Sequence, residues 1–189
     1  NICLLWENKK QRLQLIKIKM AQNLMKQIRV EKITLNVGAG KDDKLLKKGV
    51  ILLGKLSDVK PLLTKTSKRI PGWGLRPGLA IGAKATIRDG TVELLKRLLV
   101  AKDNKLKIKN FDLNGNFSFG IAEYIDIEGL EYDPDLKILG LEVAVTLERA
   151  GFSVKKRRIN PKPLGKSHKI SKQEAIDFAK SALGVEVEE

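Results

Sequence analysis

Cysteine is nearly absent. Cys3 stands alone among 189 residues, so no disulfide framework can staple the chain, which suits a reducing, cytosolic setting. Histidine is just as scarce, with His168 the single example. One His and one remote Cys are too few soft ligands for a transition-metal site. A serine–histidine triad would need His168 as its base, but Lys166 and Lys169 beside it disfavour the imidazolium such a base forms. His168 therefore reads as a surface residue near solvent or phosphate. Aromatic residues make up 5% of the chain, which is low for a base-stacking platform. No apolar run approaches the roughly 18 residues of a membrane span. Asp and Glu are scattered rather than paired, so no acid–base couple stands out and no cofactor is expected.

Acidic residues are also missing from two long windows, and there the charge argument begins. Val59 to Arg88 contains none, but holds Lys60, Lys65, Lys68, Arg69, Arg76, Lys84 and Arg88. Arg149 to Lys172 again contains none, but holds nine basic residues, Arg157 and Arg158 among them. The chain has 37 Lys and Arg against 22 Asp and Glu, a net charge of +15. Removing the seven and the nine leaves 21 basic against 22 acidic residues, so the whole excess lies in the two windows. Charge segregated in this way is an electrostatic footprint for a polyanion, nucleic acid before membrane. A merely solvated face mixes in acidic residues.

Two-residue alternation predicts a strand over Arg29–Val37, ended by Gly38-Ala39-Gly40. Helical spacing of Leu45, Leu46, Gly49, Leu52, Leu53 and Leu56 predicts a helix over Asp43–Leu56. Short strands are expected at Leu62–Thr66 and Leu79–Arg88, with a Gly/Pro loop at Arg69–Gly78 between them. A second helix is expected over Thr91–Ala101, with Val92, Leu95, Leu98 and Leu99 inward. Phe111–Ile121 reads as a turn at Leu113-Asn114-Gly115 followed by a strand, and Leu139–Leu147 as a further strand. Ile159–Lys166, with Pro161 and Pro163, reads as extended. Ser171 and Glu174 form a capping box that opens a last helix through Leu183, ended by Gly184. The fold class is α+β: an antiparallel or mixed sheet with helices packed on one face and the other face free for RNA. Residues 1–23 are expected to be a basic N-terminal extension, either an arm or translated leader before Met20. Residues 24–189 are expected to form one RNA-binding domain.

The tempting motifs fail on detail. Gly38-Ala39-Gly40-Lys41 resembles the end of a phosphate-binding loop, but Leu35 replaces its first Gly and Asp42 its Ser or Thr. A tight strand-to-helix turn explains it better. Gly72-Trp73-Gly74-Leu75-Arg76-Pro77 has Pro where a dinucleotide fingerprint needs its third Gly. Phe117 and Phe119 share one strand face like stacking aromatics, yet the Lys or Arg that opens that signature is Asn114; they read as core. Trp73, between Arg69 and Arg76, is either an RNA contact or folded back onto the domain.

Several motifs in order resemble a known family. They are Leu35-Asn36-Val37-Gly38-Ala39-Gly40, Lys60-Pro61-Leu62-Leu63-Thr64-Lys65 and Ile81-Gly82-Ala83-Lys84-Ala85-Thr86-Ile87-Arg88. Asn114 to Ile121, Tyr132-Asp133-Pro134 and Leu147-Glu148-Arg149-Ala150-Gly151-Phe152 follow. From about Leu24 onward the chain is similar to the large ribosomal subunit protein five family, in its archaeal type. The resemblance implies a structural, non-catalytic, cytoplasmic protein of the ribosome's central protuberance. It implies binding to 5S rRNA and large-subunit rRNA, a P-site tRNA contact through Arg69, Trp73 and Arg76, and a bridge to a small-subunit head protein. The family's 5S contact maps onto Asn36 and Thr86. Where the family has Gly-Gln-Lys-Pro this chain has Asp58-Val59-Lys60-Pro61, and Pro71-Gly72-Trp73 replaces a Phe-containing stretch.

The residues themselves agree with that assignment. Asn36 and Thr86 are short polar side chains in otherwise apolar strands, suited to a 2′-hydroxyl or base edge. Lys60, Lys65, Lys68 and Arg88, with Arg157 and Arg158, supply charge to phosphates and set affinity more than specificity. Two other classes stay open at this point. A free-standing RNA chaperone or duplex-binding protein would show no 5S preference. A membrane-surface protein using Asn1–Lys19 would bind vesicles through that arm.

Overall fold

The computed structural model describes residues 23–188; the reading of the N-terminal extension falls almost wholly on residues outside these. The described chain divides into two compact units, one of residues 30–147 with 170–188 and one of residues 23–29 with 148–169.

The larger unit is built on a five-stranded sheet. Its strands are β1 (Ile28–Gly38), β2 (Leu62–Lys65), β3 (Ala80–Ile87), β5 (Phe117–Ile121) and β6 (Leu141–Arg149), in the order β2-β3-β1-β6-β5. The β1–β3, β2–β3 and β5–β6 pairs are antiparallel. Two further strands, β4 (Lys105–Lys107) and β7 (Glu186–Glu188), pair in parallel as a separate ribbon. Neither was expected from the sequence, each being only three residues long.

Alternation does what the sequence pattern implies. Ile33, Leu35 and Val37 of β1, Ala83, Ala85 and Ile87 of β3, and Val143, Val145 and Leu147 of β6 are buried. Phe117 and Phe119 are buried as well and belong to the core. Helix α1 (Asp43–Leu56) turns Leu46, Gly49, Leu52, Leu53 and Leu56 inward, while Leu45 at the stripe's edge is partly exposed. Gly49 is where the helix meets the sheet: a Cβ there would lie 3.0 Å from Cγ1 of Val37. A larger residue would push helix and strand apart.

Helix α2 (Thr91–Val100) departs from expectation at one position. Val92 is 47% exposed, and Leu94 is buried with Leu95, Leu98 and Leu99. At 3.6 residues per turn, Val92 lies roughly 90° from the middle of the stripe these leucines define. The expected capping box is present: Ser171 Oγ accepts from the Glu174 amide (3.3 Å), and Glu174 Oε2 accepts from the Ser171 amide (2.9 Å). The helix it opens, α4 (Lys172–Phe178), finishes in a wider π turn over Ala179–Leu183, and Gly184 then reverses the chain.

The segment after β5 is tied to α1 by one ion pair. Lys55 Nζ lies 2.6 Å from Asp133 Oδ2, and the Asp133 amide donates to the hydroxyl of buried Tyr124 (2.9 Å). The hydrogen bond from Lys55, then that from the Asp135 amide, hold the Asp133 carboxyl below its ordinary value; the same bond raises Lys55. A depressed carboxylate adds stability that is present above the unfolded value and lost as pH falls through the folded one. A raised lysine loses its contribution only as pH climbs through its folded value, above about 10.5. The thermal midpoint of Asp133→Asn should therefore lie below that of the parent chain at neutral pH and converge with it in acid, below about pH 4. A constant difference at all pH values would assign the effect to packing instead.

Candidate nucleic-acid interface

Strands bury every second residue, so the face away from the core carries the polar positions. Register places Thr34 opposite Thr86 and Asn36 opposite Lys84. Asn36 and Thr86 thus share one face on adjacent strands, two residues apart along the ladder. Both are partly exposed. Asn36 Nδ2 donates to Glu142 Oε2 at 3.1 Å, which orients the amide across the sheet. Its second N–H and its acceptor oxygen have no partner among the described residues and are suited to a ribose hydroxyl or base edge.

This face forms an open groove of about 830 Å³. Thr34, Asn36, Ser118, Gly120 and Ala144 of the sheet strands line it. Lys102, Lys105 and Lys107 line it as well, with Asp103, Glu142 and Glu188 as the acids among them. These three lysines lie outside both acid-free windows because Asp103 and Asp112 break up the local charge. The run Lys105-Leu106-Lys107-Ile108-Lys109 alternates apolar with basic, the one sequence signal that could have exposed them as a basic strand edge.

The other sequence candidates fall on three places. Lys60, Lys65 and Lys68 are exposed on and beside β2, an edge strand, and Arg88 is exposed just beyond β3. The loop 69–78 is a small hairpin: the Ile70 and Leu75 amides and carbonyls bond reciprocally at 3.1 Å, around the turn Pro71–Trp73. Leu75 is buried and anchors it. Trp73, at its tip, is 72% exposed and not folded back onto the domain. Arg69 and Arg76 beside it are exposed. Asp58 and Val59 are exposed at the approach to β2.

The smaller unit carries the second basic window. Its short helix α3 (Ser153–Lys156) was not apparent from the sequence. Arg157 and Arg158 are exposed, and Arg157 Nε donates to the Asn160 carbonyl (2.8 Å). Two basic-window residues are structural rather than outward-facing. Arg149 is 6% exposed and its Nη1 donates to the carbonyls of His168 (3.4 Å) and Lys169 (3.3 Å). His168 is not the plain surface residue expected. Its Nε2 lies 2.8 Å from the Ala150 carbonyl, and its ring stands edge-on to Phe152 at 5.7 Å. Charge excess alone does not separate a guanidinium that binds phosphate from one that ties down a loop. Arg29 and Lys156 both reach Glu148, at 2.6 and 3.5 Å.

No group of three or more His, Cys, Asp or Glu suited to a metal ion occurs among the described residues. No described helix is long and apolar enough to cross a membrane.

Residues 23–76 match the family model described as ribosomal protein L5, and residues 80–178 match that of the ribosomal L5P family C-terminus. Large ribosomal subunit protein uL5 of Nanoarchaeum equitans is 46% identical over 165 residues, covering 86% of this chain and 97% of that protein. The protein of the same name from Sulfolobus acidocaldarius is 41% identical over 167 residues, covering 88% and 94%. That from Nitrosopumilus maritimus is 43% identical over 164 residues, covering 86% and 95%. With both family models matched along most of its length and archaeal relatives at this identity, the chain belongs to the uL5 family of large ribosomal subunit proteins, archaeal type, and is a structural constituent rather than an enzyme.

Proposed function

We propose that this protein anchors 5S rRNA and large-subunit rRNA in the central protuberance of the ribosome, in the cytoplasm. The open sheet face reads 5S RNA through Asn36 and Thr86. Lys60, Lys65, Lys68 and Arg88, and separately Arg157 and Arg158, engage phosphates. The hairpin tip carrying Trp73, between Arg69 and Arg76, meets P-site tRNA, and the protein helps bridge to the small-subunit head. The single observation that carries this reading is the register of β1 and β3. It brings two small polar side chains, distant in sequence, onto one open face beside exposed Lys84.

The test is binding to purified 5S RNA against an equally long, unrelated structured RNA across a salt titration. Neutralising phosphates gives affinity that fades alike for both RNAs as salt rises, whereas base and hydroxyl contacts persist. We expect a preference for 5S RNA of about a hundredfold or more that survives rising salt, within the usual span of specific over non-specific binding. Equal affinities with equal salt slopes would leave only a basic RNA-coating or chaperone protein and remove the sheet-face site.

A further inference from the structure

The separate ribbon of β4 and β7 brings opposite charges together along the lining of the sheet-face groove. Its register pairs Lys105 with Glu186, Leu106 with Val187 and Lys107 with Glu188. Lys105 Nζ lies 3.8 Å from Glu188 Oε1. Glu188 and the lysines 102, 105 and 107 line the same groove as Thr34 and Asn36. We propose that Lys102, Lys105 and Lys107 form a second phosphate-binding edge of this groove, and that the acidic C-terminal strand is a clasp on that edge which RNA displaces. The proposal rests on the reading of the sheet face as an RNA surface and adds how access to it is regulated.

The physics of the ribbon suits a clasp. The ion pair is solvated, with Lys105 and Glu188 side chains 55% and 51% exposed, so it holds only weakly. The ladder is three residues long. Its firm anchors on the β7 side are at its start: Val185 is buried, and the Glu186 amide donates to the Asn104 carbonyl at 2.8 Å. The strand beyond Glu186, with Val187 half-buried and Glu188 exposed, can therefore lift away while Val185 stays in the core. Its carboxylates carry the same charge as RNA phosphates, and that of Glu188 sits beside Lys105, which a phosphate would use. A weak, short acidic strand over a basic groove edge sets a threshold. RNA that reaches the sheet contacts gains enough to displace it, and RNA that offers only phosphates gains less.

Two variants of the full chain test this. Glu186→Gln with Glu188→Gln keeps strand and shape but removes the competing charge. We expect 5S affinity at about 0.1 M salt to rise roughly three- to tenfold, and the salt slope to steepen as freed lysines engage phosphates. The preference for 5S over unrelated RNA should narrow. Asp126→Asn with Glu131→Gln changes net charge equally at exposed positions outside the groove lining, and should give a smaller gain. Lys102→Ala, Lys105→Ala and Lys107→Ala together should weaken RNA binding and abolish the gain from the glutamine substitutions. Amide exchange at Val187 and Glu188 should quicken when 5S RNA binds, whereas a merely structural strand would be unchanged or protected. If the glutamine variant gains no more than the control pair, or exchange slows on binding, the clasp is wrong. If the lysine variant binds normally, the edge is wrong. Asn36→Ala, measured alongside, separates the two levels. Should it still reduce the 5S preference, the sheet-face reading stands and the clasp alone falls. Should it be silent too, both fall.

Discussion

Replacing Lys60, Lys65 and Lys68 together with alanine should weaken binding to 5S RNA and to unrelated structured RNA alike, by roughly 30- to 100-fold near 0.1 M salt. The three ammonium groups are exposed on and beside an edge strand, in a stretch with no acidic residue to offset them. For every phosphate deprived of its lysine, the plot of log affinity against log salt should also flatten by about 0.7–0.9. Asn36→Ala and Thr86→Ala should behave oppositely. Neither changes a charge, so the salt slope stays, while 5S affinity falls by about tenfold each and affinity for other RNA holds. Tenfold corresponds to about 1.4 kcal/mol, the scale of one buried hydrogen bond. The comparison is a salt titration of each variant with both RNAs. Parallel losses on both RNAs for Asn36→Ala would mean that the sheet face contributes only general adhesion.

Gly115→Ala should be strongly destabilising, at roughly 2–4 kcal/mol. Two separate costs meet there. Gly115 has φ +80°, in the turn closed by its amide to the Asp112 carbonyl and by the Asp112 amide to the Asn116 carbonyl. An L-residue adopts that conformation only under strain. The added methyl would also stand 2.5 Å from Cγ2 and 2.9 Å from Cβ of Ile170, which is buried. Ile170 immediately precedes Ser171, the cap of α4, so a shift in Ile170 is passed to the helix start. For a chain of this length the thermal midpoint should drop by about 5–12 °C. The same substitution in an Ile170→Ala background should cost less, because the steric part is relieved and the backbone part remains. Equal costs in both backgrounds would show that the contact with Ile170 carries none of the effect.

The fold was largely legible in the sequence because its signals are local. Apolar alternation in β1, β3 and β6 and the leucine spacing of α1 depend only on the pitch of the element. So does the Ser171–Glu174 capping box. The misplacement of Val92 has the same origin: apolar residues crowded into so short a helix admit more than one stripe, and the packing of Leu94 and Leu95 chooses between them. The candidate site was legible in part. Asn36 and Thr86 stood out as polar residues in apolar strands, and Trp73 as an aromatic in a Gly/Pro loop. Arg149 and His168 were hidden, since their carbonyl partners are set by how residues 150–169 fold back.

By itself, then, the sequence determined the α+β class, the family and the confinement of excess positive charge to two windows. It also determined which strand residues are polar. These follow from composition, period and ordered motifs, which need no knowledge of long-range contacts. Only the tertiary structure decided that Asn36 and Thr86 share a face, that Arg149 is buried, and that Lys102, Lys105 and Lys107 line the same groove as Glu188. Each of those depends on a register or an approach between segments tens of residues apart. No residue's own type or its neighbours in sequence reveal such pairings before the backbones have met.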